Sequence, residues 1–252
     1  MKLWQTEAIQ KTFKLRASFK YSQLDDCCTY FLEELDRVLP PLRLEEQLYS
    51  DLYVPTLQDV LNCRKRTQGV VEGRFSIQTK TGEQIFRVVD VAGQRGARRK
   101  WIPFFSSCDA VLFVMSLAGY NQYLLEDTDV IRMHEALNLF KEMVNQPALR
   151  KTPFIVFMNK SDLFKTELKS TSITKCFEDY RLPEVIQVGS SKHASHAAKF
   201  IKQKLQKQID SNRGVETYFH VTCATDTKQV DKIFSSITDI IISRGLASAG
   251  LM

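Results

Sequence analysis

The chain has 252 residues and a mass of 29.0 kDa, room for one large domain or two small ones. Hydrophobic residues are 44% and charged residues 25%, with Gly 10 and Pro 7, which excludes a wholly disordered, fibrous or low-complexity chain. Thirty-five Lys and Arg against 29 Asp and Glu give +6, a weak pull toward acidic partners or membrane surfaces beside the plainer reading of a solvated mixed surface.

The N-terminal stretch MKLWQTEAIQKTF is too polar for a secretory signal, and Lys2 stands where myristoylation needs Gly. Up to about residue 70 apolar residues recur at helical spacing and no strand pattern occurs. Asp25 or Asp26 is placed to cap a helix presenting Tyr30, Phe31, Leu35 and Val38, which Pro40–Pro41 stops. Val54-Pro55-Thr56 then starts a short helix with Leu57, Val60 and Leu61.

Beyond residue 70 strands and helices alternate. Arg74–Lys80, a Thr81-Gly82 turn and Gln84–Val91 predict a hairpin. Ala110–Leu117 and Pro153–Met158 are continuous apolar runs, predicting strands buried on both faces, and Tyr218–Cys223 is a weaker third. Val130, Met133, His134, Leu137, Phe140 and Val144 mark one amphipathic helix; Val230, Ile233, Phe234, Ile237, Ile240 and Ile241 mark another. The expected class is α/β, a mostly parallel sheet covered by helices. No apolar run approaches the ~18 residues of a membrane span. The six cysteines (Cys27, Cys28, Cys63, Cys108, Cys176, Cys223) form no C-x-x-C pair and read as reduced thiols of a soluble intracellular chain.

In a doubly wound sheet ligands gather at the carboxyl ends of strands, and the segments with chemical content fall there or at the entry to the sheet. Asp90-Val91-Ala92-Gly93-Gln94 offers a carboxylate for Mg²⁺ through water, a glycine that lets an N–H approach a phosphate, and an amide that can orient water; a strand followed by a plain turn has the same letters. Asn159-Lys160-Ser161-Asp162 follows an apolar strand. Guanine shows a ring N–H and an exocyclic NH₂ on one edge, which one carboxylate, Asp162, accepts as a pair. Asn159 meets the other base edge or ties neighbouring loops, and the Lys160 stem covers the ring; the alternative is a polar loop. Thr222-Cys223-Ala224-Thr225 brings a backbone N–H, that of Ala224, toward a guanine carbonyl oxygen, by itself a weak signal. Cys63-Arg64-Lys65-Arg66-Thr67 offers a hydroxyl for Mg²⁺ and an arginine for phosphoryl charge, or else a basic linker.

Together and in this order, R-x-x-T, D-x-x-G-Q, N-K-x-D and T-C-A-T resemble the heterotrimeric G-protein alpha subunits. Leu3-Trp4 to Gln10, Tyr30-Phe31-Leu32 with Leu35-Asp36-Arg37, Pro55–Leu61, Arg98-Arg99-Lys100-Trp101 and Gly250-Leu251 carry the resemblance along the chain. It implies a Ras-like P-loop GTPase fold with an inserted helical domain, of which residues 1–63 would be the C-terminal part and residues 64–252 the Ras-like domain from switch I onward. It implies GTP or GDP and Mg²⁺ as cofactors and GTP hydrolysis as the activity. Arg64 would be the catalytic arginine and Gln94 the residue orienting the attacking water. Thr67 would bind Mg²⁺ directly, and Asp90 through water. Asp26, Cys27, Leu61, Asn62, Cys63, Arg64, Asp90, Val91, Ala92, Gly93, Gln94, Asn159, Lys160, Ser161, Asp162 and Ala224 would line the nucleotide. Implied partners are the beta-gamma dimer, a G-protein-coupled receptor at the final helix (Val230–Arg244), and effectors and a GTPase-activating regulator at the switches (Arg95–Trp101 in switch II). No nucleic acid is implied. The implied location is cytoplasmic, at the inner face of the plasma membrane, by peripheral association.

The sequence also departs from the family. Ala92 replaces a switch II glycine, Gln68 a usual threonine, and Ala249 the cysteine that a toxin modifies in inhibitory members. Lys192–Lys207 matches poorly and reads as a basic, solvent-facing helix. Nothing fits G-x-x-x-x-G-K-[ST]. The phosphate loop, the first strand and the early helical domain are expected ahead of residue 1, the strand lying between Gln84–Val91 and Ala110–Leu117. Two functions are therefore carried forward: a GTP-hydrolysing signalling switch, and a nucleotide-independent module that occupies beta-gamma or a receptor.

Overall fold

The computed structural model describes residues 3–18, 24–39, 53–63, 65, 67, 69–79, 82–214 and 216–248. The chain resolves into two compact units, Cys63–Cys108 and the remainder, Met1–Asn62 with Asp109–Met252.

The larger unit begins with α1 (Glu7–Lys14), whose Phe13 meets Trp4 edge-on at 5.2 Å, while the guanidinium of Arg16 lies 4.2 Å from the Phe13 ring. The helix expected from an aspartate cap is instead two short pieces, α2 (Cys28–Glu33) and α3 (Leu35–Val38), broken at Glu34. Neither aspartate caps it. Cys27 holds the cap position without a side-chain bond; the Asp26 carboxylate is engaged by Lys160 and Gln122, and the Asp25 carbonyl accepts Cys28 N–H. Pro40 and Pro41 lie outside the described residues.

The short helix after Pro55 is present as α4 (Leu57–Asn62). Its start is a reciprocal box: Thr56 N–H donates to Asp59 Oδ2 at 2.7 Å, and Asp59 N–H to Thr56 Oγ1 at 3.1 Å. Its apolar side chains are exposed, Leu57 at 71%, and the residue that is buried is an acid, Asp59 at 2%. Arg37 grips Asp59 with two N–H groups, at 2.6 and 2.8 Å, and Tyr30 O–H adds a third bond at 2.6 Å. These donors, Arg37 first, hold the Asp59 carboxyl far below the usual carboxylate range.

The smaller unit carries the predicted hairpin, β1 (Val70–Thr79) and β2 (Gly82–Val91), paired antiparallel from Val70↔Val91 to Thr79↔Gly82. Lys80 and Thr81 of the turn lie outside the described residues. Phe75 stacks on Phe86 at 6.0 Å, and Arg87 forks onto Glu72 at 2.6 and 2.9 Å. A 3₁₀ segment, Arg95–Phe104, follows; the indole N–H of its buried Trp101 donates to the Ala92 carbonyl at 3.0 Å.

Back in the larger unit, β3 (Val111–Ser116) leads into a buried 3₁₀ turn, Leu117–Asn121, and then α5 (Arg132–Val144). Next come β4 (Phe154–Asn159), α6 (Ser161–Glu167), α7 (Ser191–Gln206), β5 (Thr217–Val221) and α8 (Thr227–Ser248). The three strands form a parallel sheet in the order β3-β4-β5, which fits a Ras-like α/β fold. The central β4 is buried from Phe154 to Met158, as its unbroken apolar run predicts. On one face Phe113, Phe154 and Phe219 meet Phe140 of α5. On the other, Ile155 and Phe157 pack against Ile233, Ile237 and Ile241 of α8.

β3 does not match its prediction. Leu112 and Val114, in register with Ile155 and Phe157, are 45% and 56% exposed. The run of apolar letters is there, but β3 is the edge strand and α8 covers the stripe centred on β4 and β5, so only the Phe113 and Met115 face of β3 is enclosed.

Candidate functional site

The N-K-x-D segment sits where the central strand ends. Asn159 is the last residue of β4, Lys160 turns the chain, and Ser161 opens α6. Lys160 adopts a left-handed conformation, φ 60° and ψ 42°, and no other non-glycine among the described residues has positive φ. That geometry costs about 1 kcal/mol for a residue with a Cβ and persists only where surrounding contacts enforce it. Here several do. Ser161 N–H donates to the Thr222 carbonyl at 3.1 Å, and Thr222 N–H donates to the Met158 carbonyl at 3.0 Å. The Lys160 ammonium meets Asp26 Oδ2 at 2.5 Å.

Asn159 ties this segment to T-C-A-T. Its Oδ1 accepts Thr222 Oγ1–H at 3.1 Å and the Ala224 N–H at 3.0 Å. Of the two tasks read for Asn159, the structure has the loop tie. It also occupies the Ala224 N–H, the group expected to face a guanine oxygen, with an oxygen acceptor. Cys223 N–H is fixed in turn by Gln229 Oε1 at 2.6 Å, from the first turn of α8. Asp162, one residue into α6, is exposed, and its carboxylate makes no ion pair among the described residues.

Behind Lys160 lies a network that the sequence did not announce. Gln122 Nε2 donates to Asp26 Oδ1 at 2.9 Å, Arg132 donates to Gln122 Oε1 at 3.0 Å, and Arg16 stands 4.0 Å from Asp26. Burial pushes the Asp26 carboxyl up, but the charge and hydrogen bond of Lys160, helped by Gln122 and Arg16, outweigh it and hold the group below its ordinary value. Glu167, at the end of α6, has the opposite fate. Burial, reinforced by the Asp26 charge, pushes it from 4.5 to about 7, and its Oε2 is buried without a hydrogen-bond partner. Thr222 lay in a segment already singled out; Gln122 and Glu167 had no local signal, since their role comes from partners distant in sequence.

Cys27 follows Asp26 and stands half-buried at the start of α2. Leu61 and Asn62 close α4, where Asn62 donates to the Gln58 carbonyl at 2.9 Å. Neither shares a hydrogen bond with the Asn159 cluster.

The remaining expected residues belong to the smaller unit. Arg64 lies outside the described residues, and Cys63 is an exposed free thiol. Thr67 Oγ1 donates to Asp90 Oδ2 at 3.3 Å, so the hydroxyl and carboxylate expected at Mg²⁺ are adjacent. Two hard oxygen donors suit Mg²⁺, which takes one or two protein ligands and completes its shell with water and phosphate. Among the described residues no group of three or more His, Cys, Asp or Glu could hold a metal. Val91 ends β2, Ala92 is 4% exposed with its N–H on the Gly69 carbonyl at 3.0 Å, and Gly93 is exposed ahead of Gln94. No helix among the described residues is long and apolar enough to cross a membrane.

Against known proteins, residues 1–241 match the family model described as G-protein alpha subunit. The guanine nucleotide-binding protein alpha-3 subunit of Dictyostelium discoideum is 39% identical over 248 residues, covering 97% of this chain. The chain spans 40% of the length of that relative.

Proposed function

Since the chain belongs to the G-protein alpha subunit family, we propose that it supplies the guanine-reading and switch elements of a GTP-hydrolysing signalling subunit. The observation that carries this reading is the Asn159 clamp: two loops at the carboxyl end of β4 and β5 are tied through one amide oxygen, with Asp162 left exposed beside them. A carboxylate so presented accepts the ring N–H and exocyclic NH₂ of guanine together, and adenine, with an acceptor where guanine has its ring N–H, is rejected. Asn159 holds Ala224 and Thr222 in place, and the pinned Lys160 leaves its stem along the loop.

In the smaller unit Thr67 and Asp90 would hold Mg²⁺, Thr67 directly and Asp90 through water. Bound there, the ion neutralises phosphate charge. Gly93 offers a backbone N–H to a terminal phosphate, Gln94 orients water and Arg64 stabilises charge on the transferred phosphoryl. The residues assigned to this chemistry all fall in the proposed Ras-like domain, 64–252, while residues 1–63 would be part of a helical domain. Partners in this reading are the beta-gamma dimer and effectors at switch II and a receptor at α8, with peripheral attachment at the inner face of the plasma membrane.

A second reading has its own support. No G-x-x-x-x-G-K-[ST] segment occurs in the 252 residues, so the chain by itself carries no phosphate-cradling loop or its lysine. This favours, for the chain alone, a module that keeps the switch II and α8 surfaces without GTP turnover. Titration with GDP and ADP, followed by the amide resonances of Asn159, Lys160 and Ala224, distinguishes the two. The guanine reading predicts weak saturable shifts with GDP and none with ADP. No shift with either leaves the interaction module as the function of this chain.

A further inference from the structure

The segment around α7 is where the chain keeps most of its net charge. Residues 181–213 hold seven Lys and Arg against two acids, five of the six net positive charges of the whole protein. α7 itself carries Lys192, Lys199, Lys202 and Lys204 and no acid. Its two sides differ sharply. Ala194, Ala197, Ala198, Ile201 and Leu205 are buried, while Lys192, Ser195, Lys199, Gln203 and Gln206 form an exposed stripe at helical spacing, with Lys207 just beyond. Lys204 is committed elsewhere, to Asp179 at 2.5 Å and the rings of Phe177 and Phe200. Lys192 and Lys199 have no ion-pair partner among the described residues.

The N-terminal end of α7 adds a second feature. The turn before it exposes Val185 at 92% and Val188 at 65%. The stem of Lys169 packs beside Gly189 in that turn, since a Cβ on Gly189 would stand 3.0 Å from Lys169 Cγ. The exposed Lys169 side chain therefore starts beside the turn that carries Val188 and leads into α7.

We propose that the exposed face of α7, with the Val185–Val188 turn, is a docking surface for an anionic lipid bilayer. Complementarity of charge names the sign of the partner: an acid-free lysine stripe about 22 Å long, at 1.5 Å per residue from Lys192 to Lys207, matches an anionic plane. The valines select lipid over an acidic polypeptide, because apolar side chains beside lysines are stabilised at the boundary between headgroups and acyl chains. None of the residues of this surface is among those proposed to read guanine.

Co-sedimentation of the 252-residue chain with vesicles tests this directly. Vesicles of one part phosphatidylserine to two parts phosphatidylcholine should bind it, and pure phosphatidylcholine should not. Each neutralised lysine should weaken binding about fivefold, so K192Q/K199Q/K207Q should lose about a hundredfold. V185S/V188S should weaken binding while leaving its salt dependence unchanged, and about 0.5 M salt should release the wild-type chain. All five substitutions replace exposed side chains, and the circular dichroism of both variants should match wild type. Equal binding to both kinds of vesicle, or undiminished binding by the lysine variant, overturns the proposal. So does an affinity for soluble poly-glutamate that exceeds the affinity for phosphatidylserine and is indifferent to V185S/V188S; that result would assign the face to an acidic polypeptide.

Discussion

The segment proposed to read the base, in the larger unit, and the one proposed to hold Mg²⁺, in the smaller, are held in different ways. At the first, Asn159 accepts two donors, Lys160 is held left-handed with its ammonium in an ion pair, and the segments are joined to β4, buried from Phe154 to Met158. At the second, Thr67 and the exposed Asp90 share one 3.3 Å bond, and Gly93 is open to solvent just beyond a two-stranded ribbon. A group that recognises the same base before and after a reaction gains from pre-organisation; groups that must let go of a cleaved phosphate gain from shallow local stability. The contrast in bonding suits the proposed switch, in which the specificity would be rigid and the response soft.

That contrast can be broken from either side. The largest effect is expected at the soft side. In a protein joining this chain to a phosphate-loop segment, Arg64→Cys or Gln94→Leu should slow GTP hydrolysis about a thousandfold while GTP affinity changes little, measured by single-turnover phosphate release. Equal losses in affinity and turnover would mean that these residues shape the site rather than the reaction. On the rigid side, Asn159→Ala removes the acceptor of two bonds and strands the Ala224 N–H. Guanine-nucleotide affinity should fall about thirtyfold, corresponding to ~2 kcal/mol, and the Ala224 amide should exchange faster with solvent.

A smaller effect should follow Glu167→Gln. The folded carboxyl sits at about 7 against 4.5 unperturbed, so Glu167 penalises the fold increasingly as pH rises through that interval. The variant should match wild type near pH 4.5 and exceed it by about 3 kcal/mol near pH 8 in chemical denaturation. A stability difference independent of pH would show that folding leaves the Glu167 carboxyl at its unfolded value.

Local patterns in the sequence reached only part of this. The apolar run of β4 followed by N-K-x-D put the base-reading segment on a strand end, because a short motif and the strand that carries it are adjacent in the chain. The face of β3 was illegible for the converse reason. Which side of Leu112 and Val114 is covered depends on which strand lies at the sheet edge and where α8 rests, and neither is local. The aspartate cap failed likewise: Asp26 is close enough in sequence to cap α2, but Lys160, 134 residues away, offers a full charge. Asp59, read only as a letter within a helix, proves to be the buried anchor of Arg37 and Tyr30.

The central claim is that Asp162 reads guanine, and base exchange tests it most directly. Asp162→Asn replaces two acceptors by an acceptor and a donor, the complement of xanthine, which has an oxygen where guanine has NH₂. Titrating wild type and variant with GDP and XDP, through the amides of Asn159 and Ala224, should show preference passing from GDP to XDP. A variant that still prefers GDP, or that loses both alike, would contradict the account.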